Sequence, residues 1–193
     1  MIAFIDFEAS SLSAYSYPIE VGWCSEDGQV QAHLIRPADT WHEWSASSET
    51  VHGISRGLLR RDGRAAAEVA HDVMRALAPE KALVFADAPA WDQEWLNLLL
   101  AQAGLPRSIV ILDAQQAYGY ACRPLLNLVP EWHPRRDERR QEIARQAARL
   151  VAEATEAEAL RRRVRHRAGP DAEGLWWTWR EVQQRVTAEI GAD

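Results

Sequence analysis

The N-terminal run Ile2 to Glu8 constrains this chain more than any other segment. Ile2 and Phe4 share one face of an extended strand with Asp6 and Glu8, while Ala3, Ile5 and Phe7 occupy the other. Both faces are therefore apolar until the carboxylates arrive. A strand of that kind has to be covered on both sides, which places it at the centre of a sheet between layers of helix. Asp6 and Glu8 then project from the same face with Cα atoms roughly 6.5 Å apart. On its own the pair equally fits a strand whose end has reached solvent.

The rest of the chain supplies the elements such a layered fold needs. Strand-like runs cover Ile19 to Cys24 and Val30 to Ile35, joined as a hairpin through Glu26-Asp27-Gly28. Val69, Val73 and Leu77 fall on one face of a helix from about Arg64 to Leu77, which Pro79 ends. A buried strand over Ala82 to Ala86, a helix from Trp91 to Ala103 and a short strand over Ile109 to Leu112 follow. The order β-β-β-α-β-α-β reads as an α/β fold with a mixed sheet. Arg136 to Val164 is helix-forming throughout; unbroken it would span roughly 40 Å, so a break is expected inside it. Gly169-Pro170 closes that pattern, and a last helix begins near Asp171, with Leu175, Trp179, Val182, Val186 and Ile190 as its buried face.

With 193 residues, 47% of them hydrophobic, the chain can bury a core as one domain spanning 1–193. Cys24 and Cys122 form no C-x-x-C pair, so neither a zinc knuckle nor a disulfide framework is indicated. The N-terminal apolar stretch is too short for a signal peptide, and no segment approaches a membrane span. The expectation is a soluble, cytoplasmic protein with no membrane partner. A net charge of −6 argues against a surface that coats nucleic acid broadly. The cations are almost all arginine and crowd into a helical segment at about 131–165, including Arg135, Arg136, Arg139, Arg140, Arg161, Arg162, Arg163 and Arg165. Either a solvated helix laced by Glu142, Glu153, Glu156 and Glu158 or a phosphate-gripping patch would use such a segment.

Three further positions join Asp6 and Glu8. Asp92 lies one turn before Leu96, on the side of its helix that faces the sheet, with Asp87 as a rival acid in the same loop. Asp171 lies one turn before Leu175 and so continues the apolar face of the last helix. His166, five residues earlier, belongs to the segment interrupted by Gly169-Pro170 and can lie over the same place. Singly, each has an ordinary structural use as a cap, a dipole partner or surface decoration. Together they bring four carboxylates and a histidine toward one sheet edge. That donor set suits two Mg²⁺ or Mn²⁺ ions, which prefer carboxylate and water oxygens and can drive phosphodiester hydrolysis from about 3.5–4 Å apart. Asp6 would bridge both ions, Glu8 and Asp171 would hold the one that activates water, and Asp92 would complete the set directly or through water. A histidine with a reference pKa of about 6.5 suits the proton from the attacking water.

These residues resemble the DEDD exonucleases, in the branch whose last motif carries histidine. The first motif stands as Asp6-Phe7-Glu8, the second as Phe85-Ala86-Asp87-Ala88-Pro89-Ala90-Trp91-Asp92, and the third as His166-Arg167-Ala168-Gly169-Pro170-Asp171-Ala172. Val51-His52-Gly53-Ile54-Ser55 is similar to a segment of the proofreading exonucleases of bacterial DNA polymerase III and their relatives, a group that extends to ribonuclease T and oligoribonuclease. The resemblance implies a ribonuclease H-like fold with a mixed five-stranded sheet flanked by helices. It also implies 3′→5′ release of nucleoside monophosphates from the 3′ ends of single-stranded DNA or RNA, and a homodimer is plausible by analogy. Asp6, Glu8, Asp92, Asp171 and His166 would be its catalytic residues, the four acids its metal ligands, and Phe7, Ala9, Leu12 and His52 its substrate contacts.

The chain departs from the pattern in two places. Glu8 is followed by Ala9-Ser10-Ser11-Leu12 where many relatives have Thr-Thr-Gly, and Asp87-Ala88 replaces His-Asn in the second motif. Of the nine tryptophans, Trp41 and Trp44 in a Ser- and Thr-containing loop are the candidates for stacking on bases, the others serving the core or an interface. Very short oligonucleotides are an alternative substrate class. A non-catalytic end-binding or interaction module on the same fold is the alternative outside enzymology.

Overall fold

The computed structural model of the chain describes residues 1–78, 82–162 and 164–192. Strands β1 (Ile2–Ala9), β2 (Pro18–Ser25) and β3 (Val30–Arg36) form an antiparallel meander. Helices α1 (Ala46–His52) and α2 (Arg56–Asp62), the two-residue strand β4 (Arg64–Ala65) and helix α3 (Ala66–Leu77) follow. Then come β5 (Leu83–Ala86), α4 (Pro89–Ala101), β6 (Ile111–Asp113), α5 (Ala114–Ala121), α6 (Arg123–Leu126), α7 (Arg136–Arg161) and α8 (Ala168–Ala192). The sheet order is β4-β3-β2-β1-β5-β6, with β5 parallel to β1 and β6 parallel to β5. The five expected strands are present. The sixth, β4, takes the residues from which a helix was expected to begin; it pairs Arg64 and Ala65 with Ile35 and Arg36.

The two faces of β1 enter two different cores. Ala3, Ile5 and Phe7 join Val69, Val73, Leu96 and Leu99 of α3 and α4. Phe4 joins Phe85 and a second cluster built from α5, α7 and α8, including Tyr118, Leu150, Trp179 and Val182. Because side chains alternate, Asp6 and Glu8 lie on the α8 face. Burying a side chain such as Phe4 contributes roughly 1.5–3 kcal/mol, so the strand is anchored from both sides before its acidic end is reached.

Two expectations about the long helices are corrected. Helix α7 runs 26 residues without a break, about 39 Å, because Ile143, Leu150 and Ala154 pack along it in the same cluster as Trp179, Val182 and Val186 of α8. A partner of equal length removes the need to bend. Helix α8 begins at Ala168, so Gly169-Pro170 opens it instead of stopping a pattern; proline is tolerated in a first turn, where its missing N–H would have had no helical partner. Pro79, expected to end α3, and Arg163 lie outside the described residues.

Small residues set the distance between α8 and the sheet. A Cβ on Gly22, which faces Asp6 across the β1–β2 ladder, would lie 2.3 Å from the Gly169 nitrogen. A Cβ on Gly169 would come within 3.0 Å of Ala32. The first turn of α8 therefore rests on the backbone of β2, beside the acidic end of β1. Among the described residues, no helix is long and apolar enough to cross a membrane.

Candidate active site

The C-terminal end of β1 opens into a cleft of about 750 Å³. Asp6, Glu8, Asp92, Asp171, His166, His52 and Leu12 all line it, with Asp87 and backbone-adjacent portions of Phe7 and Ala9. A groove of comparable size, about 670 Å³, lies between Tyr120, Pro124 and the last turns of α8, and its lining includes no carboxylate. The chemistry is thus confined to one of two similar hollows.

Asp6, Glu8 and Asp171 each offer a carboxylate oxygen within 4.8 Å of the others'. Asp6 and Glu8 arrive by strand alternation, and Asp171 by the first turn of α8 that Gly22 allows to approach. Asp92 comes from the other helical layer, through the first turn of α4, where Pro89 sits at the helix start. It is 1% exposed, and its Oδ2 has no hydrogen-bond partner. A buried, unpartnered carboxylate oxygen costs free energy that a cation could return.

Burial dominates the electrostatics. It raises Asp6 well above the ordinary carboxylate range, helped by the charges of Asp92, Glu8, Asp171 and Asp87. Burial and then Asp171 and Glu20 push Glu8 up to about 8, against the lowering effect of Arg167. Asp92 is pushed to about 8 by burial and by Asp87, with the backbone of Phe7 and Ala88 working the other way. Asp171 is also raised by burial, with Arg162 opposing most strongly. Carboxylates that repel each other in a desolvated cleft are an arrangement that functional sites tolerate and ordinary surfaces avoid.

His166 lies in the link between α7 and α8, exposed, on the rim of the cleft, with φ at 57°. A non-glycine residue in that left-handed region carries backbone strain held by its surroundings. His52 ends α1; its Nδ1 accepts the Ile54 amide at 3.0 Å, its Nε2 is buried without a partner, and burial lowers its pKa. Leu12 is 72% exposed at the mouth. The side chains of Phe7 and Ala9 belong to the core shared with α3 and α4, so what they give the cleft is wall.

The tryptophans differ from expectation. Trp41 is buried and stacked on Tyr17 at 5.1 Å, and Trp44 donates through Nε1 to Glu49 Oε2 at 2.7 Å while Arg56 lies over its ring. Neither lines the cleft. Trp91 and Trp95 do, stacked on each other at 5.6 Å, with Trp95 Nε1 donating to Ser16 Oγ. Trp91 precedes Asp92 at the start of α4, so the same turn that delivers the acid delivers the ring.

Several residues of the site escaped the sequence reading. Glu20, 3% exposed and opposite Glu8 in the ladder, accepts from Arg167 Nε at 2.9 Å and Nη2 at 2.6 Å and from the Ala168 amide at 3.0 Å. A carboxylate on the first amide of α8 caps it from another element, and Arg167 offsets the like charge across the strands. An acid inside the apolar run Ile19-Glu20-Val21 was the available signal. Tyr118 and Asp113 also line the cleft, as do Glu158, Arg162 and Arg165 of the segment for which the sequence left a solvated helix and a phosphate-gripping patch open.

No model of a protein family matches the chain, and no curated protein matches it. Solved structures do. An Escherichia coli exonuclease I bound to a dT13 oligonucleotide superposes with a TM-score of 0.65 at 16% identity, covering 99% of this chain and 42% of that one. Another exonuclease I structure, reported for how processivity is achieved, gives 0.64 at 15% identity over 99% and 43%. The metal-free E. coli exonuclease I complex with single-stranded DNA gives 0.52 at 18% identity over 64% and 30%. The chain spans less than half the length of these neighbours. At such identities the likeness shows the fold, which is ribonuclease H-like: a mixed six-stranded sheet flanked by helices.

Proposed function

We propose that this protein is a 3′→5′ exonuclease of the DEDD type, histidine-carrying branch, acting on single-stranded nucleic acid with residues 1–193 as its exonuclease domain. The observation that carries the reading is the close set of Asp6, Glu8 and Asp171, half-buried, with carboxylate oxygens within 4.8 Å of one another in the lining of the cleft. Asp92, with its unpartnered buried oxygen, completes it. A set of carboxylate oxygens fits hard divalent cations such as Mg²⁺ or Mn²⁺.

When bound, a pair of such ions supplies an activated water and charge stabilisation for the leaving 3′ oxygen. The remaining work falls to the chain. Asp6, Glu8, Asp92 and Asp171 would hold the cations, and the ionic form of these acids, disfavoured without a cation, is the form a cation would restore. His166, exposed at the rim, takes the proton from the attacking water and passes it to solvent. Leu12 and Trp91, backed by the buried Trp95, offer apolar faces on which terminal bases stack without sequence preference. The likeness to exonuclease I, solved with single-stranded oligonucleotides, supports that class of substrate. RNA ends, a homodimeric assembly and a reducing, cytoplasmic setting for the free thiols of Cys24 and Cys122 belong to the same reading.

The test is a time course on 5′-labelled single-stranded DNA and RNA oligonucleotides with Mg²⁺, Mn²⁺ or chelator, beside Asp171→Ala. A metal-dependent ladder shortening from the 3′ end, absent in the variant, is expected. Intact oligonucleotides under every condition would overturn the proposal in favour of a silent end-binding module.

A further inference from the structure

Glu158 is the buried charge of the cleft that the proposed chemistry leaves unused. It sits in the last turn of α7, 5% exposed, lines the cleft, and its Oε1 has no hydrogen-bond partner of good geometry. Its nearest cation is Arg162, whose Nε lies 2.9 Å away. The far edge of the same guanidinium contacts Asp171 through Nη1. Both side chains sit against α8 at Gly174, where a Cβ would stand 2.7 Å from Glu158 Oε1 and 3.1 Å from Arg162 Nη1. A carboxylate, a guanidinium and a second carboxylate thus run in line from α7 to the acid cluster.

The other cations around the cleft are placed differently. Arg167 is committed to Glu20 by three hydrogen bonds. Arg165 donates to the Ala159 carbonyl and lines the cleft mouth. Among the described residues, Arg162 is the cation whose side chain touches one of the three clustered acids, at Asp171 Oδ1, while the other oxygen accepts the Arg167 amide. Asp171 cannot present Oδ1 to a divalent ion while a guanidinium occupies it, because like charges a few ångströms apart repel strongly in a desolvated cleft. Displaced from Asp171 but still held at Nε, the guanidinium would keep its paired Nη donors aimed into the cleft, the geometry that grips a phosphate bidentately. A phosphodiester entering a cleft lined by so many acids needs such a cation.

We propose, resting on the exonuclease reading above, that Arg162 is a substrate-phosphate-binding residue that exchanges partners: Asp171 when the cations are absent, the phosphate of the terminal nucleotide when they are present. Glu158 is its positioning residue, holding the Nε edge in both states. The arginine pairs with Asp171 until a cation arrives, and the arriving cation frees it for the substrate.

The experiment measures two affinities on the full chain. Mn²⁺ binding without nucleic acid is followed by electron paramagnetic resonance, and binding of thymidine 5′-monophosphate in saturating Mn²⁺ by calorimetry. Arg162→Ala is expected to tighten Mn²⁺ about tenfold and weaken the nucleotide about tenfold, with Arg162→Lys between it and the native protein. Because Arg162→Ala strands Glu158 as a buried charge, the double variant Glu158→Gln/Arg162→Ala is measured beside it and should show the same pair of shifts. Unchanged Mn²⁺ affinity, or an unchanged nucleotide affinity, in the folded double variant would reduce the bridge to a structural ion pair and overturn the proposal. Failure of the exonuclease reading shows separately, as a native protein that binds Mn²⁺ and the nucleotide yet shortens no oligonucleotide.

Discussion

Carboxylates are concentrated in two regions of this molecule, and the two are treated in opposite ways. Along α7, Glu142 accepts from Arg139 at 2.9 Å, and Glu153 lies between Arg149 and Arg185 at 3.7 and 3.0 Å. The hydrogen bond from Arg139 lowers the pKa of Glu142. At the end of β1, Asp6, Glu8 and Asp92 have no ion pair among the described residues, and burial raises all three. The α7 face is a solvated helix with i,i+3 and i,i+4 pairs, each of small worth. The cleft keeps these three acids desolvated and without an ion pair, at a cost in stability, which is how a protein holds a place for something it binds. Arg162 stands where the two regions meet, paired like the first and half-buried in the second.

The sharpest way to break this contrast is Asp6→Asn. It should lower turnover by at least about 10²–10³-fold, the scale of losing a principal electrostatic element of a site. It should also raise the melting temperature measured without metal, since a desolvated, repelled carboxylate is gone. Retained turnover, or a fall in melting temperature, would place Asp6 among the ordinary structural acids.

Next in size is Gly22→Ala. The added Cβ meets the Gly169 nitrogen and the Ala168 carbonyl carbon at 2.3 and 2.4 Å, backbone atoms that cannot swing away. Chemical denaturation should show a loss of about 1–3 kcal/mol, the cost of overpacking. Activity should fall as well, because the turn carrying Asp171 has to move off the sheet. A variant with native stability and native turnover would mean that α8 does not set the position of Asp171.

A pH series sharpens the comparison further. Glu8 and Asp92 are protonated up to about 8 in the folded chain and ionise near the ordinary carboxylate range when unfolded. The folded state therefore binds more protons between those limits, and stability without metal falls as pH rises through them. Glu8→Gln should flatten the decline in melting temperature between pH 5 and 8, and Mn²⁺ should raise the native melting temperature more at pH 8 than at pH 5. An equal metal effect at both values would argue against binding by these acids.

The smallest effect belongs to α7. Glu153→Gln should change stability by about 0.5 kcal/mol or less and leave turnover native, as expected of an exposed pair. A large loss of activity there would extend the functional region along the helix.

Much of the site's framework was legible because it rests on short-range patterns. Two apolar faces on Ile2 to Phe7 imply a central strand, and alternation puts Asp6 beside Glu8. Turn spacing places Asp92 and Asp171 on sheet-facing sides of helix starts. The short helices α1, α2, α5 and α6 carry too few turns for periodicity to show, although Ser45, Ser55 and Asp113 cap three of them and were available as start signals. Glu158 and Arg162 belong to a segment that fits a solvated helix and a phosphate-gripping patch equally, and only their seat against Gly174 of a distant helix distinguishes them from Arg149 and Glu153. Trp41 and Trp44 were misplaced for the same reason: a loop's composition does not reveal that Tyr17 and Glu49 engage its rings. Burial that depends on contact between remote segments leaves no periodic trace.

The most direct measurement is an anomalous difference map from a crystal of the native chain grown with Mn²⁺ and thymidine 5′-monophosphate. Two peaks about 3.5–4 Å apart, bounded by Asp6, Glu8 and Asp171 with Asp92 nearby, are what the account predicts. A map without a peak among these carboxylates, with the nucleotide bound elsewhere or absent, would contradict it.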